Sequence, residues 1–170
     1  MVIWPTKKFR EISDDKVKTY FFVAFDQLFK NDVFLLENEV HERSVAHKLA
    51  EYLQQQFFGW HVDCEYNRHG IDIKKLSRKC DGEYKEYVYP DIVIHHRGYD
   101  SNLLAIEIKP RKFKNIDECD NAKLIEFTEP KGKYKYQLGL FIGFNGLNKP
   151  PQIVWYKNGK QYKIIEVEPR

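Results

Sequence analysis

Two carboxylates and an ammonium stand close together in YPDIVIHHRGYDSNLLAIEIKPRKFK, residues 89–114. Asp91 follows a proline and opens the apolar run Ile92 to Ile94, while Glu107 and Lys109 interrupt the end of a second run, NLLAIEIK over 102–109. Successive side chains of a strand point to opposite faces, so Leu103, Ala105, Glu107 and Lys109 share one face and Leu104, Ile106 and Ile108 the other. In the preceding strand Ile92 and Ile94 match the wholly apolar face, which leaves Asp91 and Val93 on the side of Glu107. Pairing the two runs as a hairpin through RGYDSN then brings Asp91 opposite the end of the next strand, beside Glu107 and Lys109.

An earlier helical pattern supplies a further acid. Glu42 is followed at i+4, i+7 and i+11 by Ala46, Leu49 and Leu53, one narrow stripe of a helix, so it points to the core side; Glu39 lies at the edge of the same stripe. A carboxylate in that position is costly to bury without a cation or a hydrogen-bond donor. Several carboxylates on one sheet face repel one another, and an oxygen-only donor set without thiolates or spaced histidines suits Mg²⁺ or Mn²⁺ rather than zinc. A metal held by Asp91 and Glu107 binds a scissile phosphate and lowers the pKa of a coordinated water, while Lys109 orients that water or neutralises the phosphorane-like state. Phosphodiester hydrolysis uses all of these parts. An ordinary buried ion pair, Glu107 with Lys109 or Asp91 with a lysine, would use the same residues in a purely structural sheet; the inward Glu42 and the basic run directly after the strand weigh against it.

The elements that must position these groups are legible in outline. A first helix is expected from an N-cap at Ser13 to about Lys30, with Val17, Phe21, Ala24 and Leu28 at helical spacing. Its additional aromatics, Phe22, Phe25 and Phe29, widen the apolar face enough for burial on two sides, within the chain or in a homodimer. A second helix is expected over roughly 38–57, ending near Gly59. Strands are expected at 60–67, 86–96 and 102–109, with a polar, loop-like excursion over 68–85. A third helix fits 117–128, and KYQLGLFIGF at 135–144 reads as a fully buried strand. The hairpin QIVWYKNGKQYKIIEV at 152–167 follows, with Asn158-Gly159 as its tight turn. The order α, α, β, β, β, α, β plus a hairpin predicts a mixed sheet with helices on both faces.

The 170 residues fit one domain, and 42% hydrophobic with 15% aromatic content is enough for a sizeable core. No leader-like start and no apolar run of bilayer length is found, so no membrane partner and a cytoplasmic location are expected. Cys64, Cys80 and Cys119 show no CxxC spacing and are expected as reduced thiols packed in the interior. The net charge of +3 is small, but positive charge is clustered: Lys109, Arg111, Lys112 and Lys114; Lys131, Lys133 and Lys135 around Tyr134; Lys157, Lys160 and Lys163.

Pro90-Asp91 followed after a hairpin by Glu107-Ile108-Lys109, in an α-β-β-β-α-β order, resembles the PD-(D/E)xK nuclease superfamily over about residues 38–144. ERSVAHKLAEYL, VDCEYNR and the KLIEFT to YQLGLFIGF passage are similar to uncharacterised prokaryotic members. The resemblance implies a restriction-endonuclease-like α/β fold with an αβββαβ core and mixed central sheet, to which the helix at 11–31 and the hairpin at 152–167 are additions. It implies Asp91 and Glu107 as metal-binding acids, Lys109 as the catalytic lysine, Glu42 as an additional metal ligand, and DNA as the expected substrate, in a Mg²⁺- or Mn²⁺-dependent reaction. A non-catalytic nucleic-acid-binding or protein-interaction module on the same fold is the alternative.

With that motif in place, Arg111, Lys112 and Lys114 become a phosphate-tracking patch, since cations that neutralise the backbone release counterions. Asp120 and Lys123 fall within the helical arc of Ile116 and Phe127, where they either support the metal ligands and touch phosphate or form a helix-surface ion pair. Glu65 and Asn67 alternate away from Val62, Cys64 and Tyr66 and are candidates to line the site. His95 and His96 point to opposite faces, and His41, His47, His61 and His69 have no ligand spacing.

Overall fold

Ser13 caps the first helix, α1 (Asp14–Asn31), its side chain accepting a hydrogen bond from the Lys16 N–H, and Val17, Phe21, Ala24, Phe25 and Leu28 form its buried stripe. Part of the wide aromatic face is covered within the chain: Phe21 packs edge-on to Trp155, and Phe25 and Phe29 pack against Phe144. A short α2 (Val33–Glu37) follows, and Asn38 ends it rather than starting the next helix, since both its backbone N–H and its side-chain amide donate to the Phe34 carbonyl. The next helix, α3 (Glu42–Gln56), begins four residues later than expected, capped by the His41 ring, whose Nδ1 accepts from the Arg43 N–H.

The computed structural model describes residues 9–38, 40–69, 72–80, 82–84, 87–109, 116–146 and 149–166. After α3 come β1 (His61–Cys64), then the four short strands β2 (Arg68–His69), β3 (Asp72–Ile73), β4 (Lys79–Cys80) and β5 (Glu83–Tyr84). The chain continues through β6 (Ile92–His95), β7 (Asn102–Lys109), α4 (Glu118–Thr128), β8 (Leu138–Gly143), β9 (Gln152–Lys157) and β10 (Lys160–Glu166). The result is a mixed α/β protein whose main sheet has six strands in the order β1-β6-β7-β8-β9-β10. All neighbours are antiparallel except β7 and β8, which are parallel and joined through α4. Asn158 and Gly159 both have positive φ, 53° and 73°, as a two-residue primed turn between β9 and β10 requires.

Alternation divides the sheet as the strand pattern predicts. Ile92, Ile94, Leu104, Ile106, Ile108, Leu140 and Trp155 pack with α1 and α3. Val93 and Ala105, and further along Phe141, Val154 and Tyr156, lie under α4 with Leu124 and Phe127. Leu103 is the exception: a register break between Ile94 and His95 leaves it without a cross-strand partner, and it packs with the α1–α3 cluster instead of with Ala105. Helix α4 lies close to the sheet because residue 139 has no side chain; a Cβ there would meet Thr128 Cγ2 at 3.0 Å and Tyr156 Cβ at 3.1 Å.

The polar excursion between β1 and β6 is built as two small hairpins, β2–β3 and β4–β5, and is pinned to the body rather than left as an unpaired loop. The buried Glu126 carboxylate accepts from the Ser77 N–H at 2.9 and 3.0 Å and from the Arg78 N–H at 3.2 Å. The Tyr134 hydroxyl both accepts from the Lys75 N–H and donates to the Lys75 carbonyl, each at 2.6 Å. Cys80 on β4 and Cys119 on α4 form a disulfide, their Cα atoms 4.8 Å apart. This corrects the expectation of three reduced interior thiols: α4 returns to the excursion at bridging distance, 39 residues later in sequence. Cys64, the free one, is exposed rather than interior. No helix among the described residues is long and apolar enough to cross a membrane.

At the β1 edge, Asp63 gathers two partners. His95 Nε2 lies 2.8 Å from its Oδ2, and Arg97 donates to both carboxylate oxygens. Burial alone would raise this carboxyl, but hydrogen bonds from His95 and Arg97 outweigh it and hold the group well below the usual carboxylate range. The folded chain then binds this proton more weakly than the unfolded chain. Its stabilisation is complete above about pH 4 and is lost as the pH falls below that value. Asp63→Asn should therefore cost about 2 kcal/mol at pH 7 and progressively less at acid pH, measured as the difference between wild-type and variant urea unfolding.

Candidate functional site

The start of β6, the end of β7 and the first turns of α4 meet on the α4 side of the sheet, and the charge of Glu42 at the start of α3 acts on the same groups. Asp91 stands immediately before β6, and its Oδ2 accepts from the Ile108 N–H at 2.6 Å, which fixes the carboxylate against the end of β7. Glu107, in the interior of β7, is 1% exposed. Its Oε2 lies 2.6 Å from Lys123 Nζ, and its Oε1 is buried with no hydrogen-bond partner among the described residues. Lys109, the last residue of β7, places Nζ 3.0 Å from Asp120 Oδ2 and 3.3 Å from Asp117 Oδ2. Lys123 completes the network with Nζ 3.0 Å from Asp120 Oδ1.

Helix α4 supplies its share through spacing. Asp117 is the N-cap and accepts from the Asp120 N–H at 2.8 Å; Asp120 and Lys123 follow at i+3 and i+6, close to one line along the helix. That line faces the end of β7, so Asp120 is 3% exposed although it belongs to a first turn whose neighbour Glu118 is exposed.

The electrostatics are those of an acid cluster short of positive charge. Burial, then the Glu42 charge, push the Asp91 carboxyl up to about 7 against the opposing Ile108 N–H. Burial also raises Glu107 well above the ordinary glutamate value; Lys123 opposes this, and Asp91 and Asp120 add to it. For Lys109 and Lys123 burial acts to lower the amine. The charge of Asp120, with Asp117 and Glu42 at Lys109 and with Glu107 at Lys123, outweighs it and holds both above the ordinary lysine value. Five acids, Glu42, Asp91, Glu107, Asp117 and Asp120, thus share two lysines.

Glu42 opens α3 above the buried stripe of Ala46, Leu49 and Leu53, and its charge acts on both Asp91 and Lys109. The structure thus brings Asp91, Glu107, Lys109, Glu42 and Lys123 to one place. Lys123, expected against nucleic acid, is turned inward onto Glu107 and Asp120 because α4 lies directly over β7. Arg111, Lys112, Lys114 and Glu39 lie outside the described residues. Glu65 donates its backbone N–H to the Asp91 carbonyl, but its carboxylate is taken by Arg43 at 2.8 Å. His95 is bound to Asp63 and His96 to Ser101 and the Gly59 carbonyl, so neither joins the cluster. The part of Asp117 went unnoticed in the sequence; the signal was DECDNAK, with two acids and a lysine spaced by three.

The donor set is hard oxygen throughout, and the unpartnered Glu107 oxygen within an excess of negative charge fits a divalent cation. Among the described residues no three histidine, cysteine, aspartate or glutamate side chains are already arranged to hold one. Compared with protein-family models, with curated protein sequences and with solved structures, the chain shows no significant match in any of the three.

Proposed function

We propose that this protein is a Mg²⁺- or Mn²⁺-dependent nuclease of the PD-(D/E)xK type that hydrolyses phosphodiester bonds, with DNA as its substrate. The observation that carries the reading is an electrostatically linked cluster of Asp91, Glu107, Lys109 and Glu42 whose most deeply buried acid, Glu107, has one oxygen without a partner among the described residues. The succession α3, β1, β6, β7, α4, β8, with β7 and β8 parallel, supports a restriction-endonuclease-like αβββαβ core. Asp91, Glu107 and Glu42 would hold the ion, which when bound supplies Lewis-acid stabilisation of the phosphate and activation of water. The remaining work falls to the chain. Lys109 is kept charged and aimed by Asp117 and Asp120, so its ammonium is available to the negative charge that develops on phosphate oxygens. The Ile108 N–H holds the Asp91 carboxylate in place without competing for its second oxygen.

The experiment is incubation with single-stranded, double-stranded and branched DNA and with RNA, in Mn²⁺ or EDTA. Cleavage of at least one substrate is expected in Mn²⁺ and none in EDTA. Lys109→Ala should lower that cleavage by about 10²-fold or more. Wild-type rates in Lys109→Ala, or cleavage indifferent to EDTA, would refute the assignment. One observation favours a second reading, a non-catalytic nucleic-acid-binding module: the ammonium of Lys123 already bridges Glu107 and Asp120. That module would bind nucleic acid equally in EDTA and Mg²⁺ and cleave nothing.

A further inference from the structure

Lys123 is an unusual neighbour for a metal-binding acid. Its Nζ stands 2.6 Å from Glu107 Oε2 and 3.0 Å from Asp120 Oδ1, so one ammonium bridges the two most deeply buried acids of the cluster. The other Glu107 oxygen, necessarily close by, has no partner among the described residues. A single positive charge with three N–H donors therefore sits where the donors present could satisfy more charge than it brings. The three side chains also differ in their way out: that of Lys123 is 18% exposed, against 2% for Glu107 and 4% for Asp120. Its flexible four-carbon stem can carry the ammonium to solvent without moving the strand or the helix.

We propose that Lys123 is a built-in stand-in for the divalent ion: it occupies the acid cluster when no metal is bound, and metal binding expels its ammonium, freeing Glu107 and Asp120 together as ligands. The inference rests on the metal-dependent reading above and adds to it a residue that yields and an acid, Asp120, that takes over. Lys109 need not move, because Asp117 remains to hold it when Asp120 turns to the metal. The same exchange accounts for the lack of a ready three-acid site among the described residues, since the acids are closed around an amine.

Two measurements on the intact 170-residue chain test this. The first is amine acetylation read by mass spectrometry in EDTA and in saturating Mg²⁺, with the exposed Lys160 as internal reference. Lys123 should be protected in EDTA and modified several-fold faster in Mg²⁺, while Lys160 is unchanged. The second is Mn²⁺ binding by calorimetry to wild type, Lys123→Met and the surface control Lys160→Met. Lys123→Met should bind Mn²⁺ at least about tenfold more tightly than the other two, because ammonium and metal no longer compete. Metal binding to wild type with Lys123 still protected, or equal affinity in Lys123→Met, overturns the exchange and leaves the metal-dependent reading standing. Absence of Mn²⁺ binding in every protein overturns both. The labelling arm needs no variant, so poor folding of Lys123→Met does not blunt the test.

Discussion

Asp91→Ala should lower metal-dependent cleavage by about 10³-fold or more and leave the fold in place. The loss follows from position: Asp91 is the acid held by a backbone donor at the end of β7, electrostatically coupled to both Glu42 and Glu107, and no other side chain among the described residues of the cluster shares that anchor. Survival of the fold follows from energetics. Burial and the Glu42 charge disfavour the ionised form, so removing it costs little more than the unpaired Ile108 N–H, about 1–3 kcal/mol. Asp91→Asn separates the two effects, because an amide oxygen still accepts from Ile108 while the negative charge is gone. Both variants should keep the wild-type circular dichroism spectrum and lose cleavage. Wild-type turnover in either would sink the role given to Asp91.

The largest stability effect is expected at Glu107. Truncation to alanine leaves the Lys123 ammonium with Asp120 alone and opens a buried space the size of a carboxylate, in a residue that is 1% exposed. Breaking a buried charged pair on one side costs about 3–5 kcal/mol. Glu107→Gln keeps an oxygen within reach of Lys123 and fills the space, so its cost should be closer to 1–2 kcal/mol. Both substitutions remove a proposed metal ligand and should abolish cleavage, so stability and activity separate in the glutamine variant. Urea unfolding of the three proteins measures this; a Glu107→Ala midpoint equal to wild type would show that the Glu107–Lys123 contact holds nothing together.

What could be read in the chain was what is encoded locally. Ser13 and Asp117 announce helix starts through their own side chains, and Asn158-Gly159 fixes a turn through its tolerance of positive φ. The alternation in NLLAIEIK placed Glu107 and Lys109 on the α4 side, and the stripe under Glu42 placed that acid over the core. What could not be read was set by distant segments meeting. The Cys80–Cys119 bond depends on α4 returning to the excursion, which no spacing in the sequence records. The depth of Asp120 and the inward turn of Lys123 depend on how closely α4 approaches β7, which residue 139 permits from a third element. Asn38 ends a helix where the sequence pattern suggests a start, because an asparagine that begins one helix and one that ends another carry the same amide; only the Phe34 carbonyl beside it decides.

The bond between Cys80 and Cys119 carries one more implication. Cys119 directly precedes Asp120, so the turn that aims Lys109 is fastened to a peripheral hairpin by a link that exists only while both sulfurs are oxidised. Such links persist in oxidising surroundings and are rare where glutathione keeps sulfur reduced, which is the compartment expected from the sequence. Where the polypeptide resides therefore decides whether the carboxylate beside its principal amine is covalently tethered or kept in place only by its helix and the two lysines it meets.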